Sequence, residues 1–176
     1  ELSGDPGVGF GGLIIPRVSG DPGGMARKIM GLVGNGAKTI VPQTIVLPAV
    51  TESVIIDATT QPGFAGTPII EVTGSGLDKN HPSYSPDLFA GLRIFADNST
   101  VRGFVINRFD DSPITGNRGF GLWVRGNDNL IEGNYLGTNV SGSQALPNSH
   151  GLSLDGSRNR IGGTTPQAPN LLSGNR

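Results

Sequence analysis

The sequence contains no cysteine and only two histidines. Disulfides, cysteine-ligated zinc, iron–sulfur clusters and c-type haem are therefore excluded, and a metal site built from histidines is not expected. A strong charge of one sign is also missing, because the formal net charge is -1 and no run is dense in Lys and Arg. This balance argues against nucleic acid as a partner. We expect no cofactor and no bound metal.

Long hydrophobic runs are missing as well. No apolar stretch approaches the roughly 18 residues that a membrane-spanning helix needs, so membrane insertion is not expected. No charged and then apolar leader precedes the first turn. The chain starts at Glu1 and stops at Arg176 inside what reads as an unfinished structural unit. We interpret the sequence as a processed product or a fragment that is truncated at its C-terminus.

Glycine and proline, in contrast, are abundant. The 29 Gly and 13 Pro, set against 35% hydrophobic and 15% charged residues, favour turn-rich all-β structure over helices. A chain of 176 residues is long enough for one domain with its own core.

An internal repeat predicts the architecture. The motif Gly-Leu-x-[Ile/Leu/Val] begins at Gly91, Gly121 and Gly151, 30 positions apart each time. A turn follows it, and then a [Val/Ile]-x-Gly motif whose members keep the same register: Val101, Ile131 and Ile161 with Gly103, Gly133 and Gly163. Short alternating segments of this kind are strands, and one such unit cannot bury its own apolar side chains. Stacked units predict a right-handed parallel β-helix, a solenoid with Leu92, Leu122 and Leu152 in one buried column.

Further segments extend this prediction along the chain. A third strand per coil is expected at 104–106, 134–136 and, after an inserted loop at 164–169, at 170–172. Segments 53–57 and 67–72 read as an earlier coil, and 74–90 as a long surface loop. We therefore predict an irregular N-terminal segment at 1–43 and a β-helix at 44–176. The run 25–33 within the first segment is a helix candidate that would cap the open end of the stack.

Four segments carry a resemblance to a known group of proteins: 54–63, 98–109, 131–138 and 160–165. With these segments the sequence resembles the right-handed β-helix regions of large bacterial secreted and cell-surface proteins, which share the architecture of pectate-lyase-like enzymes. The likeness covers roughly 44–176. It implies a β-helix fold and a location outside the bacterial cell or on its surface. No catalytic motif of the pectate-lyase-like enzymes is found in it.

The candidate binding residues lie in two outward rows predicted by strand alternation. One row holds Arg93, Trp123 and Ser153, and the next holds Phe95, Arg125 and Asp155. Trp123 is the one tryptophan in the sequence, and an aromatic plate bordered by hydrogen-bonding groups is typical of a site that holds a sugar ring. The alternative is that Trp123 packs beneath the 110–118 loop.

Two classes of function remain open on the sequence alone. The first is a structural or adhesive extracellular module that binds a polysaccharide, or that joins further β-helix coils or another protein chain at its open end. The second is a polysaccharide lyase or glycoside hydrolase, which needs a convergent set of acid, base and cation. Asp97, Asp128 and Glu132 come closest to such a set. The two aspartates, however, lie at turn positions where Asp bonds its own backbone, so we expect no catalytic residue.

Aligned polar residues also predict an internal ladder. Ser99, Asn129 and Asn159 fall at the same turn of successive coils. Stacked side chains of this kind can satisfy the backbone groups of the turn in one coil after another.

Overall fold

The protein is an all-β solenoid. The computed structural model describes residues 27–29, 36–43, 46–78, 89–110 and 119–176. Within these ranges the chain forms three sheets in which every strand pairs in parallel with its neighbours. This arrangement confirms the predicted parallel solenoid.

Each sheet collects one strand from each of several coils. Sheet 1 runs in the order β1 (Arg27–Ile29), β3 (Val54–Asp57), β6 (Thr100–Arg102), β9 (Leu130–Glu132) and β12 (Arg160–Ile161). Sheet 2 runs in the order β2 (Lys38–Ile40), β4 (Ile70–Thr73), β7 (Phe104–Asn107), β10 (Tyr135–Leu136) and β13 (Leu171–Leu172). Sheet 3 consists of β5 (Ala90–Ile94), β8 (Phe120–Val124) and β11 (His150–Leu154). Two 3₁₀ turns, Ala58–Thr60 and Gly74–Gly76, follow β3 and β4.

The core is the set of stacked columns that the repeat predicts. Leu122 pairs in register with Leu92 on one side and with Leu152 on the other. Leu122 is completely buried and Leu92 nearly so, while Leu152 is half-buried and packs against the same core. Because side chains alternate between the two faces of a strand, every second residue of the motif enters the solenoid.

Close stacking of the backbone explains the glycine that opens each repeat. A Cβ atom added to Gly91 would lie 2.7 Å from the carbonyl oxygen of Gly121. A Cβ atom on Gly121 would lie at the same distance from the oxygen of Gly151. Neighbouring coils therefore approach too closely at this position for any side chain.

The predicted third strand and the predicted earlier coil are both present. Tyr135 pairs with Val105 before it and with Leu171 after it, so the inserted loop at 164–169 lengthens one coil without disturbing the sheet. Segments 53–57 and 67–72 supply β3 and β4, which pair with β6 and β7.

The N-terminal helix prediction is wrong where the structure describes the run. Arg27–Ile29 is strand β1, which pairs in parallel with β3, and the rest of 25–33 lies outside the described residues. Hydrogen bonding along the edge of β3 outweighs the modest intrinsic helix preference of this run. Sheets 1 and 2 thus begin with β1 and β2, inside the segment 1–43.

The predicted surface loop at 74–90 ends inside the core. Phe89 and Ala90 are buried, and the ring of Phe89 lies 5.8 Å from that of Phe109. Residues 79–88 of this loop lie outside the described residues.

Candidate functional site: an aromatic strip on sheet 3

Four aromatic side chains follow one another along the outer side of sheet 3. We call Phe95, Phe120, Trp123 and His150 the aromatic strip. The half-buried ring of Trp123 lies 5.4 Å from that of Phe95, nearly perpendicular to it, and 5.3 Å from that of Phe120. The ring of Phe120 lies 5.2 Å from that of the exposed His150. The strip spans three successive coils, because Phe95 follows β5, Phe120 and Trp123 lie on β8, and His150 lies on β11. It is therefore elongated along the stacking direction.

Phe120 and His150 were not among the predicted site residues. Strand alternation places position 120 on the same face as the buried Leu122, which is inside the solenoid. Ala90, the equivalent residue of the preceding coil, is indeed fully buried. Phe120 is instead half-buried, with its ring against Trp123. The one signal in the sequence was an aromatic residue at this register position in two successive coils.

Charged groups border the strip. The guanidinium carbon of Arg125 lies 5.2 Å from the ring centre of Phe95 and 5.5 Å from that of Trp123, which is the geometry of a cation–π contact. The indole Nε1 of Trp123 donates a hydrogen bond of 2.6 Å to the Oδ2 atom of Asp155. Asp155 therefore has the indole as its partner.

Arg93 takes a different role from the other predicted binding residues. It pairs in register with Trp123, but its Nη2 donates a 2.8 Å hydrogen bond to the carbonyl oxygen of Leu47. Burial lowers the pKa of Arg93. Val50 also bonds this strand, since its N–H donates to the carbonyl of Arg93 and its own carbonyl accepts from the N–H of Phe95. Arg93 thus holds the 46–50 segment along the edge of β5.

Two kinds of group face solvent at this site, and they belong to Phe95, Trp123, Arg125 and Asp155. The aromatic faces offer flat apolar area, and the guanidinium and carboxylate supply hydrogen-bond donors and acceptors at its border. A sugar ring has apolar C–H faces and a rim of hydroxyls, so it matches both kinds of group. Coils stack about 4.8 Å apart, which gives the strip the length to contact more than one ring of an extended polymer.

An asparagine ladder at the turn before sheet 1 fixes the register of the coils. The backbone N–H of Val54 donates to Ser99 Oγ at 3.1 Å, and that of Ser99 donates to Asn129 Oδ1 at 2.7 Å. The N–H of Asn129 then donates to Asn159 Oδ1 at 2.9 Å. The ladder predicted from Ser99, Asn129 and Asn159 is confirmed, and it extends one coil further than expected.

Two more ladders occupy the other corners of the coil. Before sheet 2, Asn134 Oδ1 accepts from the N–H of Phe104 at 3.0 Å, and Asn170 Oδ1 accepts from that of Asn134 at 2.9 Å. Before sheet 3, Asn148 Oδ1 accepts from the N–H of Phe109 at 3.0 Å, and Asn175 Oδ1 accepts from that of Asn148 at 3.3 Å.

These two ladders do not follow the fixed period of the sequence repeat. Their asparagines stand 36 and 27 positions apart rather than 30, because the coil lengthens at one turn and shortens at another. In the first coil of each ladder the position is a phenylalanine, which bonds through its backbone alone. Only the paired strands reveal that these residues are equivalent.

A charged cluster lies on the outer side of sheet 1. Nη2 of Arg102 lies 2.7 Å from Asp57 Oδ2, and Nη1 lies 3.4 Å from Glu132 Oε1. Burial alone would raise the pKa of Asp57, but hydrogen bonds from Arg102 and Thr59 and the charge of Arg102 lower it below 3.8. Because the carboxylate is favoured in the folded state, its contribution to stability is present above that pH. It is lost as the pH falls through the lower pKa of the folded protein.

The other carboxylates considered for catalysis have structural partners. Asp97 Oδ1 accepts hydrogen bonds from the backbone N–H and from Nδ2 of Asn127, one coil further on. Asp128 forms a bidentate pair with Arg158. Glu132 belongs to the cluster around Arg102. The structure therefore places these three carboxylates in coil-to-coil contacts.

The residues that the structure describes carry neither a metal-binding cluster nor a membrane-spanning helix. There, no group of three or more His, Asp or Glu side chains is arranged to hold a metal ion. In that part of the chain, no helix combines the length and the apolar character needed to cross a membrane.

Compared with known proteins, the chain matches no family model, no curated protein and no solved structure.

Proposed function

We propose that this chain is a structural β-solenoid module that binds a polysaccharide along the aromatic strip. The observation that carries the proposal is the contact set of Trp123. Its indole donates to Asp155, its ring lies against Phe95 and Phe120, and the guanidinium of Arg125 lies over it. These contacts hold the ring in one orientation before any ligand arrives, which reduces the entropy lost on binding.

The rest of the solenoid acts as a rigid support in this proposal. Each strand that carries the strip is paired on at least one side, and the ladder from Phe109 through Asn148 to Asn175 fixes the corner before sheet 3. A binding face built on paired strands keeps its spacing better than one built on loops. An adhesive module that binds an extended polymer needs binding groups at this constant spacing.

The location that we propose, outside a bacterial cell or on its surface, rests on the resemblance of the sequence to β-helix regions of bacterial secreted and surface proteins. The proposed ligand class agrees with it, since extended polysaccharides are abundant there.

The test is affinity electrophoresis through gels that contain one acidic or one neutral polysaccharide each. We expect at least one polymer to retard the chain, and the variant Trp123→Ala to lose that retardation. The matched control is Phe64→Ala, which removes a half-exposed aromatic ring from the turn between β3 and β4. Equal retardation of Trp123→Ala and the original chain would refute the proposed site.

A second assay separates binding from catalysis. The same polymers are incubated with the chain, and new reducing ends and unsaturated products are measured. A binding module leaves each polymer intact. Turnover that the variant Asp155→Asn abolishes would instead establish the lyase or hydrolase alternative and overturn the proposal.

A further inference from the structure

The final coil of the solenoid exposes apolar side chains and backbone N–H groups on the side where no further coil is stacked. Strands β11, β12 and β13 stand at one end of the order in sheets 3, 1 and 2, and we call the surface that they form the end face. Leu154, Ile161 and Leu172 on it are 42%, 40% and 48% exposed. Their register partners one coil earlier, which are Val124, Ile131 and Leu136, are all fully buried.

The asparagine ladders give this face a direction. Each ladder amide bonds back to the coil before it, because its Oδ1 accepts from a backbone N–H there. In every ladder asparagine except Asn129, the Nδ2 also donates to a carbonyl of the same earlier coil. Asn170 donates to Ile131 in this way, and Asn175 donates to Leu136. The backbone N–H of a ladder residue is in turn capped by the asparagine of the coil that follows.

At the end face these caps are missing. Within the part of the chain that the structure describes, the backbone N–H groups of Asn159, Asn170 and Asn175 have no acceptor. Three N–H donors, one at each corner, therefore border an exposed apolar patch. A simple apolar cover would leave these donors without acceptors, which is unfavourable once water is excluded.

We propose that the end face binds a parallel β-solenoid coil that carries asparagine at all three corners. Such a coil would cover Leu154, Ile161 and Leu172 with its own apolar column. Its three amide oxygens would accept from the N–H groups of Asn159, Asn170 and Asn175. This proposal is independent of the aromatic strip and would survive a failure of the polysaccharide proposal.

A second copy of this chain, stacked head to tail, does not fit the end face. Strand pairing places Lys38, Ile70, Phe104, Asn134 and Asn170 at the same corner of successive coils. Lys38 belongs to the earliest of these coils, so the first coil of a stacked copy would place Lys38 above Asn170. A lysine side chain offers only donors and cannot cap a backbone N–H. The occupant is therefore a coil of the asparagine-bearing type found later in this chain.

The test appends a second copy of residues 150–176 directly after Arg176. This junction keeps the register, because Asn175-Arg176 then precedes the appended strand as Asn148-Ser149 precedes β11. The control carries the same coil with its three corner asparagines replaced by alanine. Backbone amide hydrogen exchange is measured by NMR, together with the thermal midpoint.

We expect the appended coil to slow exchange at Asn159, Asn170 and Asn175 by tenfold or more and to raise the thermal midpoint by several degrees. The alanine control should leave exchange at these three amides fast. Equal protection by both coils would overturn the proposal, and so would no protection by either. Sedimentation of the original chain completes the test, since a stable dimer that the change Leu154→Lys dissociates would identify a second copy as the occupant.

Discussion

Replacing Asn134 by alanine tests how much the ladders contribute to stability. Asn134 is fully buried, its Oδ1 accepts from the N–H of Phe104, and its Nδ2 donates to the carbonyl of Val101 at 3.1 Å. Phe104 and Val101 are themselves buried, so water cannot replace the lost partner. An unsatisfied buried group costs about 1–3 kcal/mol, and two such groups give an expected loss of about 2–6 kcal/mol.

The assay is urea denaturation followed by circular dichroism, in which the midpoint shifts at constant slope if only stability changes. The matched control is Asn170→Ala in the same ladder. Asn170 makes equivalent bonds but is itself half-buried, so water can enter the space that its side chain leaves and reach the freed backbone groups, and about 1 kcal/mol is expected. A loss below about 0.5 kcal/mol for Asn134→Ala, or an equal loss for both variants, would refute the reasoning.

Three further predictions concern other parts of the solenoid. Leu122→Ala should cost about 2–5 kcal/mol in urea denaturation, and the half-buried Leu152→Ala clearly less, because only the first leaves a closed cavity. The variant Asp57→Asn should lose stability at pH 7, where the pairing with Arg102 is intact, and should fall less than the original chain as the pH drops below 3.8. Equal pH dependence of the two would contradict the lowered pKa. Gly126→Ala should lower the melting temperature, since its Cβ atom would collide with a backbone carbonyl of the preceding coil; an unchanged value would contradict the close stacking.

The period of the repeat was sufficient to predict the fold. Apolar columns, outward rows and the ladder at Ser99 all depend on equal spacing along the chain, and each of them is present in the structure. Such features are local consequences of strand alternation and stacking. They can therefore be recognised in one sequence without any knowledge of distant contacts.

The features that the sequence did not reveal depend on contacts between segments of unequal length. The ladders at Asn134 and Asn148 are hidden by the changes in coil length, and β1 forms because the edge of β3 supplies its hydrogen bonds. Arg93 has the outward position that alternation predicts, yet its guanidinium binds Leu47 of a segment with no repeat. A pattern of spacing contains no information about such partners.

The most direct test of the binding face uses the one tryptophan of the chain as its own reporter. A ¹⁵N-labelled sample gives one indole N–H signal, which reports the hydrogen bond between Trp123 Nε1 and Asp155. The account predicts that a polysaccharide which retards the chain in gels shifts this signal, while the amide signals of the buried ladder residues Asn134 and Asn148 stay in place. A retarding polymer that leaves the indole signal unmoved would contradict it.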